Sequence, residues 1–185
     1  MRKLYLFNMM TLDGFFEGKE PWDLGWHNVD AEFNTFAVEQ LESTGLLLFG
    51  RKTYEGMAQY WSSDQANSDD PVVTKRMNEM PKMVASRTMT AASWNNMTLL
   101  SENIIDEINK LKSQPGKDIG IFGSAELAAS VSSVIDEYRI IVSPVILGSG
   151  TPLFKPAAGI VRLKTTNVRS FTNGNILIYY TPLNT

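Results

Sequence analysis

The chain has no cysteine and a single histidine, His27, among 185 residues, and these two shortages exclude a good deal of chemistry. Without cysteine there is no disulfide framework, no thiolate nucleophile and no thiolate-ligated zinc. One imidazole cannot build a histidine-rich metal site, so no metal is expected. Basic residues are also too few for a polyanion binder: 17 Lys and Arg against 20 Asp and Glu leave a net charge of −3 and a pI near 5.2. Proteins that bind nucleic acid or anionic membranes in a general way carry a basic surplus, so neither partner is expected and any anion site must be local. Long apolar runs are missing as well. The segment after Met1-Arg2-Lys3 is broken by Asn8 and Asp13, too short for a signal peptide's apolar core, and no stretch approaches membrane-spanning length. A reducing cytoplasm is compatible with this composition and is the expected location. What is present, 43% hydrophobic and 20% charged residues, suffices for one well-buried core, and residues 1–185 are read as a single domain.

The pattern along the chain alternates strands with helices. Lys3 to Met10 reads as a strand, with Thr11-Leu12-Asp13-Gly14 as a turn into a loop that holds Trp22, Trp26 and His27. Two tryptophans in a loop either cover something apolar or plug the end of the core. Asp30 has the position of a helix cap, and Phe33, Phe36, Ala37 and Leu41 fall on one helical face extending to about Ser43. Leu46-Leu47-Leu48-Phe49 is a buried strand that ends in Gly50, after which Arg51-Lys52-Thr53 opens a helix to Trp61. A helix start presents unpaired N–H groups and the positive end of its dipole, which suit a phosphate. Ser62 to Pro71 reads as a polar, acidic loop and Val72 to Met80 as a short helix.

Two further strands end in the same way. Lys82 to Ser86 delivers Ser86-Arg87-Thr88, and Asp118 to Phe122 delivers Gly123-Ser124 at the start of a helix running to about Ser133. Asn96 to Leu100 is a strand candidate, Ile104 to Leu111 a helix, and Asp136 to Leu147 a long β run. Val161 to Phe171 and Asn175 to Tyr180 flank Thr172-Asn173-Gly174, a hairpin signal. The order implies an α/β domain with a mostly parallel sheet and an antiparallel edge. In such sheets ligands sit beyond the carboxyl ends of the strands, where the three turns would gather. None of them matches a G-x-G-x-x-G or Walker loop.

Gly50-Arg51-Lys52-Thr53-Tyr54-Glu55 resembles the G-R-x-T-[YW]-E motif of the dihydrofolate-reductase-like fold. Together with Thr11 to Gly14, Met80 to Thr88, Gly123 to Leu127 and Pro144 to Phe154, it looks like the branch related to the C-terminal reductase domain of bacterial riboflavin biosynthesis. The resemblance covers nearly the whole chain. It implies a three-layer fold with a mixed, mostly parallel eight-stranded sheet flanked by helices and closed by a C-terminal antiparallel hairpin. It also implies hydride transfer from NADPH to a small molecule, and a homodimer in many members.

Carried over by position, Gly50, Arg51 and Thr53 match the turn that binds the pyrophosphate and adenosine phosphate end of NADPH, and Ser86 and Arg87 match the residues that read the ribose and its 2′-phosphate. Arginines suit that phosphate because their hydrogen bonds to it are charge-assisted and can be bidentate, although a solvated surface arginine is the plain alternative for Arg87. Gly123, Ser124, Ala125 and Glu126 match the second pyrophosphate turn. Phe122-Gly123 stands where folate enzymes carry a glycine pair, and a non-proline cis bond costs about 3 kcal/mol, which disfavours a cis peptide there.

Asn8, Met9 and Met10 match positions whose backbone faces the nicotinamide carboxamide. Asp13 could bind substrate, supply a proton or simply form its turn. Asn34 falls where folate reductases place the acid that orients the pterin, and an amide cannot act as that anion, which argues against dihydrofolate as substrate. Two readings follow: an NADPH-dependent oxidoreductase of a pyrimidine- or pterin-like heterocycle, including the 5-amino-6-(5-phosphoribosylamino)uracil reductase type, or a dimeric, cofactor-binding member without catalysis.

Overall fold

The computed structural model describes residues 1–91, 93–155 and 160–183. In chain order the elements are β1 (Leu4–Thr11), β2 (Phe15–Glu17), α1 (Ala31–Ser43), β3 (Thr44–Gly50), α2 (Arg51–Trp61), α3 (Asp64–Asp69), α4 (Pro71–Glu79), β4 (Lys82–Ala85), β5 (Met97–Leu100), α5 (Ile104–Ser113), β6 (Asp118–Phe122), α6 (Ala125–Ser130), β7 (Glu137–Ser143), β8 (Thr151–Pro152), β9 (Leu163–Ser170) and β10 (Ile176–Pro182). Eight of the strands form one sheet in the order β5-β4-β3-β6-β1-β7-β10-β9, and β2 pairs with β8 separately. From β5 to β7 every pairing is parallel, and β10 and β9 close the sheet antiparallel.

The parallel strands are apolar on both faces because helices cover both, as expected for crossover connections. On one face Leu4, Leu6, Leu48, Ile119 and Ile121 pack with Ile108 of α5 and with Leu127 and Ala128 of α6. On the other, Tyr5, Leu47, Phe49 and Val84 pack with Leu41 of α1, Tyr54 of α2, and Val73 and Met77 of α4. This is the three-layer, mixed eight-stranded arrangement that the sequence implies. The hairpin also forms as expected: Gly174 takes φ +90° and its N–H donates to Phe171 O at 3.0 Å.

Three local readings are corrected. Ser62 to Pro71 is largely helical: Ser63 caps α3 by accepting from Ala66 N, and Asp70 caps α4 by accepting from Val72 N and Val73 N ahead of Pro71. Polar residues that look like loop are here consecutive caps, which satisfy N–H groups that would otherwise be unpaired. The helix after Ser124 stops at Ser130 and tightens into a 3-10 turn at Ser132–Val134, as its serines and Val131 favour. The β run from Asp136 ends at Ser143, because Pro144 has no N–H to continue the ladder.

Candidate functional site

The parallel register decides where the turns go. Gly50 lies beside Ala85 and Phe7 beside Phe122, so the carboxyl ends of β3, β4, β6 and β1 open on the same edge. A cleft of about 2440 Å3 runs along it. Met9, Asn34, Gly50, Arg51, Thr53, Ser86, Arg87 and the Gly123 to Glu126 stretch all line this cleft, and Asp13 does not.

At one end the features suit phosphates. Helix α2 starts at Gly50 with no side-chain cap among the described residues and no acid in its first turn, so its leading N–H groups and dipole face the cleft. Gly50 itself is tightly placed: a Cβ there would run into Ser124 Oγ, which brings the first and third turns into contact. Gly123 takes φ +69° and Ser124 φ +67°, and the Phe122–Gly123 peptide is trans. A Cβ on Gly123 would sit 3.1 Å from Thr53 Cγ2. Ser124 Oγ accepts from Leu127 N at 3.4 Å, so it acts as the helix cap. Ala125 follows it, buried at the start of α6.

The charged residues of this end divide into held and free. Arg51 is held at the rim, donating from Nε to Glu55 at 2.8 Å and from Nη1 to Thr88 Oγ1 at 2.9 Å. Ser86 Oγ accepts from Thr88 N and Met89 N, so its hydroxyl shapes the turn. Arg87 is exposed on the cleft and makes no ion pair among the described residues. Glu126 is drawn to Lys155 at 2.8 Å, which also holds its carboxyl below the ordinary range, so only the backbone of its turn is suited to an anion.

The other end is built around an opening in the sheet. β1 pairs with β6 only as far as Phe7, where Gly123 N donates to Phe7 O at 3.2 Å, and then continues to Thr11 beside β7 alone. Beyond Phe7 the β6-facing side of β1 is therefore open to the cleft. Met9 N–H there is met by Asn8 Oδ1 at 2.9 Å, while Asn8 Nδ2 is buried with no partner among the described residues. Asn34 enters from α1, whose start is fixed by Asp30 accepting from Phe33 N, and this makes Asp30 a cap. Asp13 accepts from Thr11 Oγ1 at 2.6 Å and from Gly148 N and Leu147 N at 2.7 and 3.1 Å. The Thr11 hydroxyl first, and then these two amides, hold its carboxyl below the usual range, so the geometry gives Asp13 the turn-forming role.

Three features were not singled out as site residues by the sequence. Gln40 lines the cleft at 4% exposure, with Oε1 unpartnered among the described residues. A signal existed, since a glutamine falls on the apolar stripe of α1, four residues after Phe36. His27 also lines the cleft, with Nε2 unpartnered among the described residues and its ring edge-on to Trp26, and desolvation pushes its pKa down to about 4. Trp22 lays its indole across Gly56 of α2, where an added methyl would overlap the ring.

This sheet, with its carboxyl-edge cleft between two helical layers, defines a dihydrofolate-reductase-like domain. Within that class the chain belongs to the RibD C-terminal domain family, whose model matches residues 2–177. It is 34% identical over 182 residues to the uncharacterized protein YyaP of Bacillus subtilis strain 168, covering 97% of this chain and 94% of that one. Among solved structures it is similar to a candidate riboflavin biosynthesis protein from Shewanella sp. PV-4, with a TM-score of 0.76, 22% identity, and 98% and 99% of the two chains covered. It is also similar to dihydrofolate reductase from Enterococcus faecalis, solved with NADP(H) and RAB-propyl, with a TM-score of 0.64, 12% identity, and 98% and 97% covered. At these identities the two structures speak for the fold.

Proposed function

We propose that the chain is an NADPH-dependent oxidoreductase acting on a small heterocycle. The observation that carries this is the convergence of three strand-end turns, Gly50 to Thr53, Ser86-Arg87 and Gly123 to Glu126, on one edge of a parallel sheet, all lining one cleft. The residues fit the cofactor in kind: an uncapped helix start and close-packed glycine turns for the pyrophosphate, and Arg51 and Arg87 for the 2′-phosphate. When bound, NADPH supplies the hydride. The chain's own part is to orient and desolvate the reacting groups: the unpaired side of β1 beyond Phe7 is open to the nicotinamide end, and α1 forms the facing wall.

The complex of the Enterococcus faecalis enzyme with NADP(H) supports this cofactor by shared fold. Asn34, where folate reductases carry an acid, argues for a substrate other than dihydrofolate. The test is a titration with NADPH and NADH of the wild type, Arg51→Ala and Arg87→Ala. NADPH is expected to bind more tightly than NADH, and Arg87→Ala to lose at least about tenfold in NADPH affinity with little change for NADH, the effect of deleting a charge-assisted contact. Unchanged NADPH affinity in both variants would sink the cofactor assignment.

A further inference from the structure

We infer that Lys82 is a positioning residue for the proposed cofactor site: its ammonium pins the 86–96 segment that carries Ser86 and Arg87, and so sharpens the choice between dinucleotides. This deepens the reductase reading and rests on it. Lys82 opens β4 at 1% exposure, yet it makes no ion pair among the described residues. Its Nζ donates instead to three carbonyls, Met80 O at 2.7 Å, Asn95 O at 3.1 Å and Asn78 O at 3.2 Å, and lies 4.4 Å from the centroid of the Trp94 ring. Glu79, the acid at the end of α4, pairs with Lys75 at 3.9 Å. Burial pushes the Lys82 pKa down to about 8, so the group is still mostly charged at pH 7. An ammonium taken out of water without a carboxylate is costly, and here carbonyl dipoles and an indole face offset the cost.

The three carbonyls come from two separate segments, and this makes the lysine a pin. Asn78 and Met80 stand at the C-terminal end of α4, where carbonyls lack helical partners and a cation is favoured. Asn95 belongs to the return of the segment that leaves β4 after Ala85 and comes back to pair with it as β5. Trp94 secures the same return: its Nε1 donates to Asn78 Oδ1 at 2.7 Å, and its backbone N donates to the Tyr54 hydroxyl of α2 at 3.0 Å. At the departing end of the segment, the Thr88 hydroxyl accepts from Arg51 at the start of α2. Both ends are thus tied to α2, and Lys82 holds the returning one. Releasing it frees the Arg87 turn to move against α2, and a guanidinium that must meet a phosphate loses contact over a small displacement. The turns at Gly50 and Gly123 follow strands that the β3 to β6 ladder holds without Lys82, so the loss falls on the 2′-phosphate.

A double-mutant cycle on the full chain tests the inference, with NADPH and NADH titrated into wild type, Lys82→Met, Arg87→Ala and the double variant at pH 7. Lys82→Met keeps the length of the side chain and removes its donors. It is expected to weaken NADPH binding about five- to tenfold and NADH binding less than about twofold, and to add less than about twofold to the NADPH loss once Arg87 is gone. A lysine that merely supported the fold would lower both affinities alike. Limited trypsin digestion without cofactor gives a second readout: cleavage after Arg87 is expected to be several-fold faster in Lys82→Met than in wild type. The inference is overturned if the two dinucleotides weaken together, if the two substitutions act additively on NADPH, or if cleavage after Arg87 is unchanged. Should Lys82→Met fail to fold, Trp94→Phe, which cuts the link to Asn78, is expected to show the same selective loss, and an equal loss of both dinucleotides there overturns it as well. Wild type that does not bind NADPH overturns the cofactor assignment, and the trypsin rates then decide by themselves whether Lys82 holds the Arg87 turn.

Discussion

His27 is a half-buried base with Nε2 shielded from solvent, in a chain with no other imidazole, and this shielding has a pH signature. Its pKa is pushed down to about 4 in the native protein by desolvation, whereas an unfolded histidine titrates near 6.5. Between these values the unfolded state takes up a proton that the native ring refuses. Stability is therefore intact above about pH 6.5 and falls as pH drops toward 4, by up to about 3 kcal/mol. Urea unfolding at several pH values should show His27→Phe with a flatter slope over that window than wild type, and an identical slope would remove His27 from the acid response. A second residue-scale prediction concerns Gly50, whose missing Cβ is replaced in space by Ser124 Oγ. Its φ of −78° is open to alanine, so the constraint is purely steric. Gly50→Ala should weaken NADPH binding at least about tenfold by prying apart two of the turns proposed to hold its phosphates, a sub-ångström shift in a site that needs placed donors. The double variant with Ser124→Gly, which also relieves a positive φ, should regain most of that affinity in the same titration.

At the scale of elements, the 18–30 loop meets α2 where Trp22 lies on Gly56. Trp22 is 42% exposed, yet its indole lies on Gly56, which gives the loop a seat at the cleft rim. Glu17 fixes the approach by accepting from Trp22 N at 2.7 Å. Gly56→Ala should strengthen α2 locally, by up to about 1 kcal/mol of helix propensity, while expelling the indole. Tryptophan emission should move to the red and become more open to acrylamide quenching, and both changes should vanish in a Trp22→Phe background; unchanged emission would show that the ring stays seated. This contact marks the limit of what the sequence discloses. The strands of the sheet were legible because each is a short apolar run bounded by turn residues, and the three turns could be placed together because parallel strands share an edge. Asp30 was legible as a cap because capping is local. The seat of Trp22 on Gly56, 34 positions away, depends on tertiary packing, as does the fate of Gln40. The polar stretch of α3 was misread because its caps, Ser63 and Asp70, are the same residue types that build loops.

For the whole molecule, the proposed cofactor site draws on segments as far apart as Gly50 and Glu126, tied together by the ladders of β4 to β3 and β3 to β6. A ligand that touches all three turns binds only when that part of the sheet is assembled, so its binding energy is linked to unfolding of the domain. At a free concentration of about 100 times Kd such a ligand contributes about 2.7 kcal/mol. In a domain of this size each kcal/mol raises the melting temperature by about 2–4 °C, so NADPH is expected to raise it by roughly 5–10 °C. The rise should shrink with NADH at the same concentration and in Arg87→Ala, because both remove the pairing proposed at the 2′-phosphate. Added salt should reduce it too, since the net charge of −3 leaves only local cations to hold the cofactor's anionic groups. Differential scanning calorimetry across these conditions measures the linkage directly. A melting temperature that NADPH at millimolar concentration leaves unmoved would show that the three turns do not hold the dinucleotide together.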